Sequence, residues 1–296
     1  MISYTEKNNQ KKVWLLALTS VVMSTFFSFL GAPFLRALSV SANAKIFWFA
    51  GLLLTSGLMI TGLTLTSIYI GAIWMTLGTY SELEKRGISW RLAGAASLAM
   101  GLFVGLISYG IVIKYFGGQN LLTELLKPLQ DSMNKAFPDT PTEISALIGY
   151  VPGIFTATLF MALAIGFMLE ARVNKLFQIR HAKIASGLKW LEFRLPDLFI
   201  WISLFAGFFS LVNLGQDVLQ KVSINIVIVS GVAFFFQGLA VLEFMTRAFR
   251  LGSISKTILY ILVVLQLTPA VVLIGLVDYW VDFRKRLRTK IKANLN

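Results

Sequence analysis

Polar side chains that could bind a ligand are concentrated in two long apolar runs near the end of the chain. The runs cover residues 222–245 and 257–279, and the amide side chains in them are those of Asn225, Gln237 and Gln266. Polar groups are costly in hydrocarbon, so such residues usually face a protein interior or a cavity. We therefore predict that the three amides contact a ligand. The alternative is an interhelical hydrogen bond from Gln237 to Asn225 or Gln266, which is the more frequent use of such residues.

Charged residues also recur at helical spacing in this part of the chain. Glu243 precedes Arg247 by one helical turn, and Asp282 precedes Arg286 by the same distance. Residues four apart are neighbours on a helix surface, so each pair is predicted to form an ordinary ion pair. Alternatively, the second pair holds the basic tail, residues 281–296, at the membrane interface or binds a partner.

No constellation in the sequence predicts catalysis or metal binding. The chain has no cysteine and a single histidine, which excludes thiolate zinc sites, cysteine nucleophiles and a multi-histidine metal site within one chain. It also contains no Walker loop, no HExxH sequence and no dinucleotide-binding fingerprint. We therefore expect a protein that is not an enzyme and needs no cofactor or metal. If the protein transports a substrate, it has no ATPase of its own.

The composition indicates a protein of the lipid bilayer. Hydrophobic residues make up 56% of the 296 residues and charged residues only 14%, whereas a globular domain carries about 25% charged residues. Several apolar runs reach the length of a membrane-spanning helix, and a lipid-exposed backbone must form its hydrogen bonds internally. The sequence therefore predicts an all-α fold, a polytopic membrane helical bundle of about six to eight transmembrane helices. All of it, residues 1–296, is expected to form a single integral membrane domain.

Small residues line one face of the first apolar run, residues 13–31. They recur at every fourth position: Ser20, Ser24, Ser28 and Ala32. In the run 92–113, Gly101 and Gly105 form a GxxxG pattern. Small faces let membrane helices approach closely. We predict packing inside the same bundle, and for the first helix the alternative is docking onto a partner subunit.

The remaining segments predict the elements between these runs. Residues 46–80 are too long for one upright helix, and their glycines favour a bend or a tight hairpin. Residues 114–141 are typical of an amphipathic interfacial helix, and residues 140–143 carry a capping box that begins the next helix. In that helix Pro152 lies between two glycines and predicts a kink. Residues 171–196 are a basic connector.

Basic residues between the apolar runs predict the orientation of the chain. They give a net charge of +13, and their positions are typical of topology signals and anionic-lipid contact, not of nucleic-acid binding. With residues 1–12 as a cytoplasmic tail, the basic connector falls inside but the basic C-terminal tail falls outside. Either the last run does not cross the membrane simply, or the connector lies outside. A bend or re-entrant path at Thr268 and Pro269 would bring the tail inside, and we favour this first alternative.

Three C-terminal segments resemble the YybS-like family of uncharacterised bacterial membrane proteins. They are Phe193-Arg194-Leu195-Pro196, Phe236-Gln237-Gly238-Leu239-Ala240, and Gly275-Leu276-Val277-Asp278 running into Asp282-Phe283-Arg284-Lys285-Arg286. That family is distantly similar to the S components of energy-coupling-factor transporters, which bind a small molecule and dock on a coupling subunit driven by separate ATPases. S components dock through a small-residue face on the first helix. The resemblance places that face at Ser20, Ser24, Ser28 and Ala32.

We therefore expect a bacterial inner-membrane protein, S-component-like, that binds a small molecule or a membrane partner without catalysis. The alternative is a structural or assembly subunit of a larger membrane complex, with the basic connector and tail as docking surfaces. The expected partners are the lipid bilayer and a coupling subunit or other membrane protein, and not nucleic acid. A polar cavity lined by the three amides would favour ligand binding, whereas solid packing there would favour the structural alternative.

Overall fold

Helices form almost all of the chain that the structure describes. The computed structural model describes residues 4–116, 121–136, 144–177, 190–212 and 217–293. Within these ranges it contains twelve α-helices, one 3₁₀ helix and no strand, which confirms the predicted all-α fold. The chain packs into two compact units, Met1–Ile184 and Ala185–Asn296, where the sequence predicts one integral membrane domain.

Three of the described helices are long and apolar enough to cross a membrane, and a bent pair of helices would make a fourth span. Four further apolar helical segments are 10–17 residues long, and one of them is part of the longer helix Tyr4–Phe27. At 1.5 Å per residue such helices are about 15–25 Å long, shorter than the roughly 30 Å of bilayer hydrocarbon. The apolar runs of the sequence are thus divided between full spans and shorter helices.

Among its described residues, the first unit contains seven α-helices and the 3₁₀ helix, Ser28–Gly31. The α-helices are α1 (Tyr4–Phe27), α2 (Ala32–Ser41), α3 (Ala44–Ile60), α4 (Thr64–Lys85), α5 (Trp90–Phe116), α6 (Leu121–Ala136) and α7 (Ile144–Leu176). The short helix α2 is almost entirely buried, and it contacts α1, α4 and α7. Its position makes it the centre of the unit's core.

The first apolar run is two helices joined by a tight turn, and not one helix. Helix α1 ends at Phe27, and the 3₁₀ turn that contains Ser28 leads into α2 at Ala32. Pro33 lies at the start of α2, where the missing N–H of proline is tolerated. Ala32 therefore lies on a different helix from Ser20 and Ser24, and this corrects the prediction of a continuous four-residue face.

Residues 46–80 form a helical hairpin, as predicted. Helix α3 ends at Ile60 and α4 begins at Thr64, and Gly62 in the turn has a φ of +82°, a conformation that favours glycine. The hairpin is closed by the indole of Trp74, whose Nε1 donates to the carbonyl of Phe47 over 3.2 Å. Helix α4 of this hairpin packs against α2 and α5.

The predictions for α6 and α7 have different outcomes. The amphipathic prediction holds for α6, in which Leu126 is buried and Lys127 is exposed. Helix α7 is continuous from Ile144 to Leu176 and runs through Pro152, so it is not divided into two helices there, and the kink at Pro152 stays a prediction. The capping box at residues 140–143 and residues 178–189 of the basic connector lie outside the described residues.

The second unit contains five described α-helices. They are α8 (Asp197–Leu211), α9 (Asp217–Ala248), α10 (Ser253–Leu265), α11 (Thr268–Val281) and α12 (Phe283–Ala293). The long span α9 packs against α8 and α11. Helices α10 and α11 meet at an angle of 98°, with Pro269 in the first turn of α11. This confirms the break that the sequence predicts at Thr268 and Pro269.

Candidate functional site

The amide of Gln237 is fully buried in the second unit, where it joins two other segments to α9. Its Oε1 accepts from the backbone N–H of Leu195 over 2.9 Å, and its Nε2 donates to the carbonyl of Gly275 over 2.8 Å. Gln237 thus makes the interhelical bonding that the sequence predicts. The partners are corrected, because they are backbone groups and not Asn225 or Gln266.

The other two amides lie elsewhere. Asn225 is on α9, twelve residues before Gln237, which is about 18 Å along a helix. Its Nδ2 donates to the carbonyl of Lys221 one turn earlier, over 2.8 Å. Gln266 is exposed at the C-terminal end of α10. The structure therefore does not bring the three amides together into one site.

The ion pair between Glu243 and Arg247 is present at the end of α9, with a distance of 2.8 Å. The same carboxylate accepts from Nζ of Lys256 over 2.7 Å and from the hydroxyl of Tyr260. These contacts fasten the start of α10 to the end of α9. A local pair predicted from spacing is thus part of a larger contact between two helices.

The carboxylate of Asp282 pairs with the guanidinium of Arg194 at 3.4 Å and not with that of Arg286, which corrects the second predicted pair. Arg286 contacts Asp282 only through the backbone, where its N–H donates to the carbonyl of Asp282 over 3.1 Å. Asp282 ends α11 with a left-handed φ of 46°, so it is not in one continuous helix with Arg286. Its Oδ1 instead accepts from the backbone N–H of Lys285, as an N-cap of α12. Spacing of four residues predicts contact only inside a helix.

The buried guanidinium of Arg284 holds the start of α12 to the segment before α8. It donates to the carbonyls of Leu191 and Phe193, over 3.0 and 2.9 Å, and to Oδ2 of Asp278 over 2.7 Å. Asp278 uses its other oxygen to accept from the N–H of Phe283. Both charged groups are occupied by partners within the unit, so this network is suited to holding helices together.

Both small-residue faces of the first unit are covered by the unit itself. A Cβ at Gly101 would lie 1.9 Å from Oγ1 of Thr76, and a Cβ at Gly105 would lie 2.5 Å from the ring of Phe155. Ser20 is buried and donates to the carbonyl of Gly31 over 2.8 Å. These positions therefore pack inside the bundle, which is the first of the two alternatives that the sequence predicts.

An arginine lies at the centre of the first unit's core. Arg36 on α2 is completely buried, and its Nε donates to Oε2 of Glu170 over 3.3 Å. Its other nitrogens donate to Oγ of Ser81, over 2.6 Å, and to the carboxylate of Glu84. The guanidinium also lies 4.9 Å from the ring centroid of Phe167, a cation–π distance. Three helices, α2, α4 and α7, thus meet at one buried charge.

Beside this arginine, α7 carries buried polar atoms that have no hydrogen-bond partner among the residues that the structure describes. They are Oε1 of Glu170 and both amide atoms of Asn174. The two residues are 1% and 5% exposed, and they are one turn apart, on the same face of α7. Buried polar groups are nearly always paired, and leaving one unpaired costs about 1–3 kcal/mol. We call Glu170 and Asn174 the α7 polar pair, and it is our candidate functional site.

The α7 polar pair can recognise a molecule by hydrogen bonds. Arg36 occupies Oε2 of Glu170 and so fixes the carboxylate, and the other oxygen remains an acceptor. Asn174 offers an acceptor and an amide donor group. In contrast, the surface depression on α8 is lined by apolar side chains, which orient no polar ligand: Trp201, Leu204, Phe205, Phe208 and Phe209.

The sequence prediction missed this site because it assigned nearly all intramembrane polar residues to the last quarter of the chain. Arg36 stands among apolar residues in α2, and Glu170 directly follows a long apolar run. The rule that charged residues in apolar segments are functional candidates could have identified both. Their mutual contact has no signal in the sequence.

Comparison with known proteins agrees with membrane location. Residues 139–279 match the family model described as a predicted membrane protein, DUF2232. The match includes the α7 polar pair and the three amides, but not Arg36. No curated protein and no solved structure matches the chain. The chain is therefore a helical membrane protein that is similar, over residues 139–279, to a family of predicted membrane proteins.

Proposed function

We propose that this protein is a membrane-embedded binding protein for a small polar molecule, and that the α7 polar pair contacts that molecule. The single observation behind the proposal is the set of unpartnered buried atoms on Glu170 and Asn174. A bound ligand would form hydrogen bonds with these atoms. The free-energy cost of leaving them unpaired in the ligand-free protein would then be offset on binding. This role needs no catalysis, cofactor or ATPase in the chain itself.

The chemistry of the pair defines the ligand that it would accept. Oε1 of Glu170 and Oδ1 of Asn174 require N–H or O–H donors, and Nδ2 of Asn174 requires an acceptor. Side chains one turn apart have Cβ atoms about 5–6 Å apart, so one small group can reach both. An amide, a urea-like group or a neighbouring pair of hydroxyls fits this pattern. A bare divalent cation fits it poorly, because Arg36 places a positive charge against the same carboxylate.

The proposed role is that of an S-component-like subunit of the bacterial inner membrane with a cytoplasmic N-terminus. The basic residues that follow α4 and those at the end of α7 support a cytoplasmic location for the nearby ends of both helices. Docking on a coupling subunit would need a surface other than the first-helix face, because Ser20 and Ser24 are buried. The three C-terminal amides contribute no direct support, since they do not form one site.

Purification in mild detergent, followed by mass spectrometry of released small molecules, tests the proposal. We compare the unchanged protein with Asn174→Leu and with the matched control Asn225→Leu, whose amide bonds to its own helix. One small molecule in stoichiometric amount is expected with the unchanged protein and with the control, and not with Asn174→Leu. The absence of a bound molecule from all three, or equal retention by all three, would contradict the proposal.

A second candidate function is a structural or assembly subunit of a larger membrane complex. It is favoured by the second unit, in which the buried side chains of Gln237, Asp278 and Arg284 all bond within the unit. The same purification distinguishes the two functions. Stoichiometric membrane proteins without a bound small molecule would support the structural role.

A further inference from the structure

The C-terminal helix α12 lies beside the end of the span α9. The guanidinium of Arg288 on α12 is 5.2 Å from the ring centroid of Phe244, which is in the last turns of α9. Some positions of α9 and α12 also lie close to each other. The chain between them, α10 and α11, is bent by 98°. The chain therefore leaves the end of α9 through α10 and returns through α11 to the same end of α9.

This arrangement brings together basic residues from two distant parts of the second unit. The first group surrounds the turn between α9 and α10, and the second group lies on α12. We call the two groups together the basic rim: Arg247, Arg250, Lys256, Lys285, Arg286 and Arg288. The side chains of Arg247 and Arg288 are 61% and 56% exposed, so these cations can reach a partner.

Acidic residues compensate this charge only in part. The carboxylate of Glu243 is shared by Arg247 and Lys256, and Glu192 approaches Arg288 at 4.0 Å. Helix α12 itself contains six basic residues and no acidic one. The rim therefore keeps an excess of positive charge and is complementary to an anionic partner.

Exposed apolar side chains lie among the cations of the turn. Phe249 is 64% exposed and Ile254 is 78% exposed, on either side of Arg250. Arg250 adopts a left-handed φ of 51° at the end of α9, where glycine is usual. Apolar side chains interleaved with cations are typical of segments at the boundary between lipid headgroups and acyl chains. The combination favours a lipid surface over a soluble anion.

We propose that the basic rim binds the headgroups of anionic phospholipids, and that α10 and α11 form a re-entrant pair that returns the chain to the leaflet it left. Both basic segments are then on one side of the membrane. Phosphate oxygens accept from the guanidinium and ammonium groups, and Phe249 and Ile254 enter the acyl boundary. This arrangement removes the conflict between the basic tail and the positive-inside rule.

The absence of cysteine from the chain makes the location of both segments directly measurable. Single-cysteine variants Ser253→Cys, at the start of α10, and Thr289→Cys, on α12, are both at exposed positions. A membrane-impermeant maleimide is applied to right-side-out and to inverted membrane vesicles. Both cysteines are expected to react in the same type of vesicle. Reaction in opposite types would overturn the shared rim.

Lipid binding is measured on the full chain by native mass spectrometry after reconstitution with phosphatidylglycerol or phosphatidylcholine. The variant Arg250→Gln/Lys285→Gln/Arg286→Gln is compared with a variant of equal charge change in the first unit, Lys45→Gln/Lys114→Gln/Lys127→Gln. Each cation near an anionic membrane changes binding by about fivefold, so the rim variant is expected to retain at least about tenfold less phosphatidylglycerol. The proposal would be overturned if both variants lost the same amount of bound phosphatidylglycerol. It would also be overturned if the unchanged protein retained phosphatidylglycerol and phosphatidylcholine equally.

Discussion

Nε of Arg36 lies 3.3 Å from Oε2 of Glu170, although 134 positions separate the two residues in the chain. Both side chains are removed from solvent, with exposures of 0% and 1%. The contact joins the central helix α2 to α7 and fixes one oxygen of the Glu170 carboxylate. Its other oxygen and the neighbouring Asn174 are thereby held as one site.

Arg36→Met should strongly destabilise the protein. It leaves the buried carboxylate of Glu170 without its cation, and breaking a buried pair in this way costs about 3–5 kcal/mol. Thermal unfolding in detergent measures the change. The control Arg172→Met, at an exposed position of α7, should change stability by less than about 0.5 kcal/mol. The double variant Arg36→Met/Glu170→Gln should be more stable than Arg36→Met alone. If it is not, the lost contact with Glu170 is not the cause of the destabilisation.

Asn174→Leu should stabilise the ligand-free protein. The substitution replaces a buried amide, which has no hydrogen-bond partner among the described residues, with an apolar side chain of the same branching and heavy-atom number. The gain should be about 1–2 kcal/mol, because an unpaired buried polar group costs about 1–3 kcal/mol. Unfolding is measured after removal of small molecules. Asn225→Leu, which loses a hydrogen bond, should bring no gain, and a loss of stability in Asn174→Leu would contradict the prediction.

Gln237→Leu should destabilise the second unit. The N–H of Leu195 and the carbonyl of Gly275 would both stay buried without the amide that now bonds to them. The Gly275 carbonyl lies inside α11 and keeps its intrahelical donor, so the N–H of Leu195 is the group left unpaired, and a loss of about 1–3 kcal/mol is expected. Resistance to proteolysis in detergent provides the measurement. Gln266→Leu, at an exposed position, should behave like the unchanged protein, and equal effects of the two substitutions would count against the role given to Gln237.

Gly275→Ala should disturb the crossing of α9 and α11. A Cβ at this position would lie 1.9 Å from the carbonyl oxygen of Phe234, so the two helices would have to separate. Overpacking of this kind typically costs about 1–3 kcal/mol, which thermal unfolding detects. Gly231→Ala on α9 meets no atom within 4 Å and should be neutral or stabilising by up to about 1 kcal/mol. Similar melting temperatures for both variants would rule out a close crossing at Gly275.

The sequence by itself determined the features that depend on neighbours along the chain. The hairpin between α3 and α4, the break at Pro269 and the ion pair of Glu243 with Arg247 all follow from short-range spacing and from the backbone limits of glycine and proline. The sequence also predicted membrane helices, because the length and apolarity of a run decide whether a helix is stable in lipid.

Only the tertiary structure decided which distant groups meet. Gln237 bonds to the backbone of Leu195 and Gly275, and backbone groups are the same at every residue, so no pattern of side chains identifies them. Arg36 could be recognised as a buried cation, but several carboxylates were available to it, and the packing of α2 against α4 and α7 selected Glu84 and Glu170. The same packing excludes solvent from Asn174. The candidate site therefore arises from helix packing, because burial and pairing are properties of the space around a residue and not of its place in the chain.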